Sequence, residues 1–218
     1  VSKDGQIRII RISDGVELWS DRHKGPSVED SDGNTIYKGA KQVAISSDGR
    51  LMATAGSANL IKIWIREPGN DVKFQYVQSL PGHKGGTTSI AFASNGTLVT
   101  GGNDGKLRIW KQGASVYELR QEVDLTVNIR NAVFSDDGRY LAVAAGRTVS
   151  LWMTSADGTL IRTREFLDHV DAVYALAFTA DGSRLATGGL DHTIFIYDTA
   201  SGSKVNVLNQ AMLGVRSL

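Results

Sequence analysis

Four histidines and a pair of recurrent aspartates are the groups in this sequence best suited to chemistry. They are His23, His83, His169 and His192, with Asp104 and Asp191 following the second and third histidines. Converging imidazoles and carboxylates could ligate zinc or move protons. These histidines fall in different phases of the repeat set out below, so no metal cluster is implied, and no metal or cofactor is expected. With no cysteine in the chain, disulfides and thiolate zinc sites are excluded. The run Gly101–Leu107 ("GGNDGKL") resembles the end of a phosphate-binding loop, but Leu107 stands at the Ser/Thr position and Thr100 at the first glycine. It also leads into a strand, where a phosphate loop needs a helix N-terminus. "DSDGN" at 30–34 hints at a calcium loop, yet its glycine comes too early and no glutamate follows at the needed spacing. No G-x-S-x-G, H-E-x-x-H or G-x-G-x-x-G motif occurs. Catalytic residues are therefore not expected.

The elements that must carry these residues repeat. The segments "VAISSDGRLMATAG", "IAFASNGTLVTGG", "AVFSDDGRYLAVAAG" and "LAFTADGSRLATGG" are four versions of one pattern. Each is an apolar run, a two-residue turn and a second apolar run ending in small residues. The turns are Asp48-Gly49, Asn95-Gly96, Asp137-Gly138 and Asp181-Gly182, at offsets of 47, 42 and 44 residues. Such pairs predict type I′ hairpins, in which both central residues take positive φ. In that frame Asn95-Gly96-Thr97 is a turn and not a glycosylation acceptor. A third strand follows in every copy: Ile61–Ile65, Leu107–Lys111, Val149–Met153 and Ile194–Asp198, with a fragment at Ile7–Arg11. Its large-residue slot holds Ile10, Trp64, Trp110, Trp152 and Tyr197. A weaker fourth strand is predicted at Val16–Trp19, Phe74–Leu80, Tyr117–Val123, Leu160–Phe166 and Lys204–Leu208. Strands apolar on both faces, such as Val173–Phe178, must be covered on both faces. No segment sustains a helical apolar stripe.

Four antiparallel strands per unit of about 40–45 residues describe a β-propeller blade. The second copy reads Gly82-His83, "SIAF", Asn95-Gly96, "LVTGGNDGKLRIW". The fourth reads Asp168-His169, "LAF", Asp181-Gly182, "RLATGGLDHTIFIYD". On these residues the chain resembles the WD-repeat (tryptophan–aspartate repeat) β-propeller family along essentially its whole length. The resemblance implies an all-β fold of four-stranded antiparallel blades. Units would run over about 36–80, 83–123, 125–166 and 169–208, with partial units at 1–19 and 215–218. Residues Val215–Leu218 would begin an inner strand. The simplest reading is an arc of a ring of about seven blades, the others lying elsewhere in the polypeptide or on another chain; the alternative is a five-bladed ring closed by its paired termini.

The resemblance also implies structural hydrogen-bond tetrads: His83, Thr100, Asp104 and Trp110 in the second copy, and His169, Thr187, Asp191 and Tyr197 in the fourth, with tyrosine standing in for tryptophan. Asp4 would fill the aspartate slot of the opening fragment. The first copy departs from the pattern with Ile36 and Ala58 in the histidine and aspartate slots. The third has Leu125 and Gly146 there, and Val143 in place of threonine. Those two blades should rely on apolar packing. Within this frame Asp104 and Asp191 are turn anchors, not catalytic acids.

Function should then sit on a surface. Partner docking in the family uses the rim made by loops entering the innermost strand and loops joining the second and third strands. By frame that rim carries Lys41, Thr88, Asn103, Arg130, Tyr174 and Leu190. The expected function is a non-enzymatic scaffold that docks a protein or peptide within a larger assembly. The alternatives are a sensor or regulatory propeller of a multidomain enzyme whose catalytic domain lies outside this chain, and an RNA-associated propeller of a ribonucleoprotein. Near-balanced charge (24 Lys+Arg against 23 Asp+Glu) gives the last little support, and suggests neither a nucleic-acid groove nor an anionic membrane surface. No stretch is long and apolar enough for a membrane-spanning helix. The absence of cysteine fits a cytoplasmic or nuclear protein. The polar segment Ser20–Thr35, with Glu29, Asp30 and Asp32, reads as a solvated or partly disordered loop, the other reading being a partner-binding insertion.

Overall fold

β-branched and aromatic residues at period two, broken by Asp-Gly and Asn-Gly, leave the chain little choice but short antiparallel strands. The computed structural model describes residues 6–22, 27–29, 35–37, 40–56, 59–70, 72–114, 116–155, 157–209 and 214–218, with backbone alone at 22, 27–29 and 35–37. Asp4, His23 and Ala58 lie outside the described residues, as does the Ile36 side chain. Among the described residues all regular structure is β, with no helix.

Four sheets have four strands each, antiparallel between sequence neighbours. Blade I contains β5 (Ala40–Ile45), β6 (Leu51–Gly56), β7 (Leu60–Arg66) and β8 (Phe74–Pro81). Blade II contains β9 (Thr87–Phe92), β10 (Leu98–Gly102), β11 (Lys106–Gln112) and β12 (Tyr117–Asp124). Blade III contains β13 (Ile129–Phe134), β14 (Tyr140–Ala145), β15 (Thr148–Thr154) and β16 (Leu160–Phe166). Blade IV contains β17 (Val173–Phe178), β18 (Arg184–Gly189), β19 (Ile194–Asp198) and β20 (Lys204–Leu208). The opening fragment is a two-stranded sheet of β1 (Gln6–Ile10) and β2 (Glu17–Arg22). Within the polar segment read as a loop, β3 (Ser27–Glu29) and β4 (Thr35–Tyr37) pair as a short hairpin. The segment is therefore not wholly irregular.

The core consists of layers between blades. Ala53, Ile61, Ile63 and Leu80 of blade I meet Ile90, Leu98, Trp110 and Tyr117 of blade II. Val99, Leu107 and Ile109 of blade II meet Ile129, Leu141, Val143 and Trp152 of blade III. Ala142, Val149 and Phe166 meet Val173, Leu185, Phe195 and Tyr197 of blade IV in the same way. Ile7 with Met52, Trp64 and Phe74 ties the opening sheet to blade I. Trp19 packs its ring edge-on to Trp64 at 6.1 Å. Each fully buried large side chain contributes about 1.5–3 kcal/mol, so the inter-blade layers are the main source of stability.

Two expectations are corrected here. The Asp-Gly and Asn-Gly hairpins are not type I′. Five residues separate the strands, for example Ser46–Arg50 between β5 and β6, and at these positions only the glycine has positive φ (68° at Gly49, 79° at Gly96, 71° at Gly138, 67° at Gly182). The Gly49 amide donates to the Ser46 carbonyl at 2.8 Å, as Gly138 does to Ser135 and Gly182 to Thr179. The physical reason is the Asp or Asn side chain, which in all four loops accepts the amide two residues on, and in three of them a Ser or Thr hydroxyl as well. Asp48 Oδ1 accepts from the Ser46 hydroxyl (2.6 Å) and the Arg50 amide (3.0 Å). Ser135–Asp137–Arg139 and Thr179–Asp181–Ser183 repeat the arrangement. These bonds fix a longer loop with a single left-handed glycine at its end. Such hydroxyl and amide donors hold Asp48 below the usual carboxylate range and bring Asp181 to about 2. The second correction concerns Val215–Leu218, which form no strand. Val215 does donate its amide to the Gly189 carbonyl at 2.9 Å, much as the Val173 amide meets the Gly146 carbonyl one blade earlier.

Candidate functional site

The second blade's polar quartet converges beneath the rim. His83, completely buried, lies with Nδ1 2.8 Å from Asp104 Oδ1 and Nε2 2.9 Å from Thr100 Oγ1. Trp110 Nε1 donates to that same Thr100 oxygen at 3.0 Å. The indole can only donate, so Thr100 accepts from it, and its own hydrogen is available to His83 Nε2. Burial disfavours the imidazolium, and a neutral ring with its proton on Nδ1 suits both partners: Asp104 accepts at Nδ1 and Nε2 accepts from Thr100. Asp104 also accepts the amides of Lys84 (3.0 Å) and Lys106 (3.2 Å), closing two loops. Gly102 exists for the ring: a Cβ there would stand 2.2 Å from His83 Cβ and 2.3 Å from its Cγ. Gly189 makes the same room for His169, and blade III, without a histidine, has Ala145 instead.

Burial pushes the His83 imidazole below its ordinary value, against the pull of Asp104. Burial also opposes ionisation of Asp104, but the His83 hydrogen bond and the two amides outweigh it and hold that carboxyl low. The sign follows directly. Below pH about 6.5 the unfolded chain takes up a proton that the folded imidazole refuses, so folding weakens as pH falls through that value. Below about pH 4 protonation of the unfolded Asp104 carboxyl adds to the loss. We expect thermal unfolding temperatures to be flat above pH 7 and to fall towards about pH 5.5, with a shallower fall in His83→Leu. Identical profiles for the two proteins would contradict the assignment.

Blade IV differs from its expected quartet. His169 Nδ1 lies 2.8 Å from Asp191 Oδ2, and Nε2 2.8 Å from Thr187 Oγ1. Tyr197 keeps tryptophan's contact with Thr187, but its hydroxyl also reaches a partner that an indole does not have in blade II: it donates to Asp168 at 2.9 Å. Burial and the Asp168 carboxylate push that phenol upward. Lys204 Nζ binds the other Asp168 oxygen.

The two blades without a histidine keep part of the pattern. In blade I, Trp64 Nε1 donates to Thr54 Oγ1 at 2.9 Å. In blade III, Trp152 Nε1 donates to Ser150 Oγ at 2.8 Å. Ser150 pairs across the sheet with Val143, so the hydroxyl has moved to the neighbouring strand. Sequence reasoning misses it, although a serine two residues before the tryptophan, on the same strand face, is the available signal. Gly146 does not fill an aspartate slot: Ala145 pairs with Thr148, leaving a two-residue turn that has no such slot. Elsewhere that turn ends on a left-handed residue, Asn59 (φ 52°), Gly105 (74°) or His192 (64°), which accounts for His192.

Above the quartets, Lys41, Thr88, Asn103, Arg130 and Tyr174 line one cavity of about 220 Å³, together with Gly85, Gly86 and Thr87. Their contacts differ. The Thr88 hydroxyl faces the carbonyls of Ile129 (2.6 Å) and Gly101 (3.0 Å), joining blades II and III. Asn103 Nδ2 donates to the Gly85 carbonyl at 2.7 Å and holds the loop wall. Arg130 stacks over the Tyr174 ring at 5.4 Å, and Arg216, not anticipated from sequence, stacks on the same ring at 5.6 Å. Leu190 is not part of this cavity. Its amide donates to Ala172 at 2.8 Å and its side chain packs by Gly214. Among the described residues no group of three or more histidines and carboxylates could hold a metal ion.

Radially repeated four-stranded blades with His–Asp–Thr–Trp bonding define a WD-type β-propeller architecture. The chain belongs to the WD domain, G-beta repeat family, whose repeat matches residues 33–64, 74–111 and 158–198, about half of the sequence. It is similar to pre-mRNA-processing factor 19 homolog 2 of Arabidopsis thaliana, with 30% identity over 89% of this chain and 36% of that protein. It is also similar to a chromatin assembly factor 1 component of Gallus gallus, with 24% identity over 75% of this chain and 26% of that one. A chain in the crystal structure of the mitotic checkpoint complex superposes with a TM-score of 0.78 at 18% identity, covering 98% of this chain and 60% of that chain. The chain thus spans about a quarter to a third of the length of these two curated relatives.

Proposed function

We propose that the protein is a non-enzymatic interaction scaffold that docks a protein or peptide segment on the rim of blades I to IV, as part of a multi-protein assembly. The observation that carries this reading is the convergence of side chains from all four blades: Lys41, Asn103, Arg130 and Tyr174 line one concave site, while the histidines and aspartates beneath it are engaged in holding loops. Arginine and tyrosine are the residue types that most often anchor interfaces. The relatives' names, a pre-mRNA-processing factor and a component of a chromatin assembly factor, support membership of an assembly inside the cell.

The test uses affinity capture with the full-length protein and a variant carrying Arg130→Ala and Tyr174→Ala. Loss of captured partners with an unchanged unfolding temperature is the expected result. Retention of the same partners by the folded variant would move the docking surface elsewhere.

A further inference from the structure

We propose that this rim receives an acidic peptide segment, its carboxylates set against Lys41, Arg130 and Arg216; the inference rests on the docking reading above and names the partner's chemistry. Several cations on the blade walls are already paired. Arg8, Lys106, Arg108, Arg162, Arg184 and Lys204 each have a carboxylate within 4 Å. Lys41, Arg130 and Arg216 have no such partner among the described residues, and the same holds for Lys84 and Arg147 on loops at the same end. The nearby aspartates are committed elsewhere. Asp104 and Asp191 hold histidines, Asp168 holds Tyr197 and Lys204, and Asp124 and Asp171 cap the amides of Thr126 and Ala172. These carboxylates stay ionised, but among the described residues none lies within 4 Å of Lys41, Arg130 or Arg216, which leaves three unpaired cations in a row at this end.

The strip is continuous. Lys41 and Arg130 line one cavity, Tyr174 lies beside Arg130, and Arg216 lies against Tyr174. Cations set out in a row suit carboxylates spaced along an extended chain, whereas a single phosphate would call for converging ones. The Tyr174 ring supplies an apolar platform between two guanidinium groups. Thr87 adds a donor: its hydroxyl is buried, lines the same cavity and meets no partner in the protein.

Fluorescence anisotropy with the full chain tests this. The probes are a glutamate-rich peptide, its glutamine counterpart, a peptide with phosphoserines in the glutamine background, and a short single-stranded RNA. We expect the glutamate peptide to bind about tenfold tighter than the glutamine one, with affinity falling as salt rises. The double variant Arg130→Gln/Arg216→Gln should remove that preference, and the exposed Lys41→Gln, which disturbs no packing, should weaken binding several-fold. No binding, equal binding of both peptides, tighter binding of RNA or of the phosphopeptide, or indifference to both variants would overturn the proposal. If capture by the full-length protein still depends on Arg130 and Tyr174 while the peptides are not discriminated, docking stands and charge selection falls.

Discussion

Replacing Trp110 with alanine should destabilise the protein by about 3–5 kcal/mol, the range for removing a large buried aromatic. The indole is 2% exposed and lies in the layer between blades I and II, with Ile63, Leu80 and Leu98. Its removal leaves a cavity that surrounding strands cannot close, because each is fixed by ladder bonds to its neighbours. It also withdraws the one proton that orients the Thr100 hydroxyl towards His83. Trp110→Phe separates the two effects. It keeps most of the volume and loses the donor, so it should cost about 1–2 kcal/mol. Hydrogen exchange locates the damage: stability in stacked repeats is carried by neighbouring interfaces, so amides of blades I and II should lose protection before those of blade IV. Uniform loss across all blades, or a Trp110→Ala effect below about 1 kcal/mol, would show that the inter-blade layer does not bear the stability assigned to it.

Much of this architecture is legible because strand period and turn residues are local signals. Of the five large-residue slots, Trp64, Trp110, Trp152 and Tyr197 are nearly or fully buried, whereas Ile10 is 51% exposed and Ile7 is the buried residue of that opening strand. Other features depend on geometry that residue types do not encode. Asp-Gly and Asn-Gly suggest a two-residue turn, but the Asp or Asn side chain accepts the amide two residues on and sets a longer loop. Counting slots places Gly146 opposite Asp104 and Asp191, whereas a turn shortened by one residue has no position to fill. Tyr197 reads as a smaller tryptophan, although the direction of its hydroxyl, not its size, sets its second partner. On the rim, Lys41, Thr88, Asn103, Arg130 and Tyr174 follow from the repeat frame. Arg216 does not, because its place depends on how the segment after blade IV folds back over Tyr174.

Asp104→Ala should cost about 3 kcal/mol, nearly as much as a core truncation, although the side chain is partly accessible. Three donors lose their acceptor together: His83 Nδ1–H, and the amides of Lys84 and Lys106. The Lys84 amide lies by solvent and recovers a water partner. The imidazole N–H is fully buried and cannot, so it carries most of the penalty. The third blade contains the control. There the segment after β12 carries no histidine (the repeat frame puts Leu125 in its slot), the turn carries no aspartate, and the blade still folds around Trp152 and Ser150. It follows that His83→Leu/Asp104→Ala should be less destabilised than the sum of the single variants, by at least about 1 kcal/mol of coupling. Strict additivity in denaturant unfolding would mean that the two side chains act independently. The quartet would then contribute nothing beyond its separate packing contacts. Coupling of the expected sign would show instead that the buried imidazole is tolerated only because the carboxylate is there, which fits a role in holding the two loops beneath the proposed docking rim.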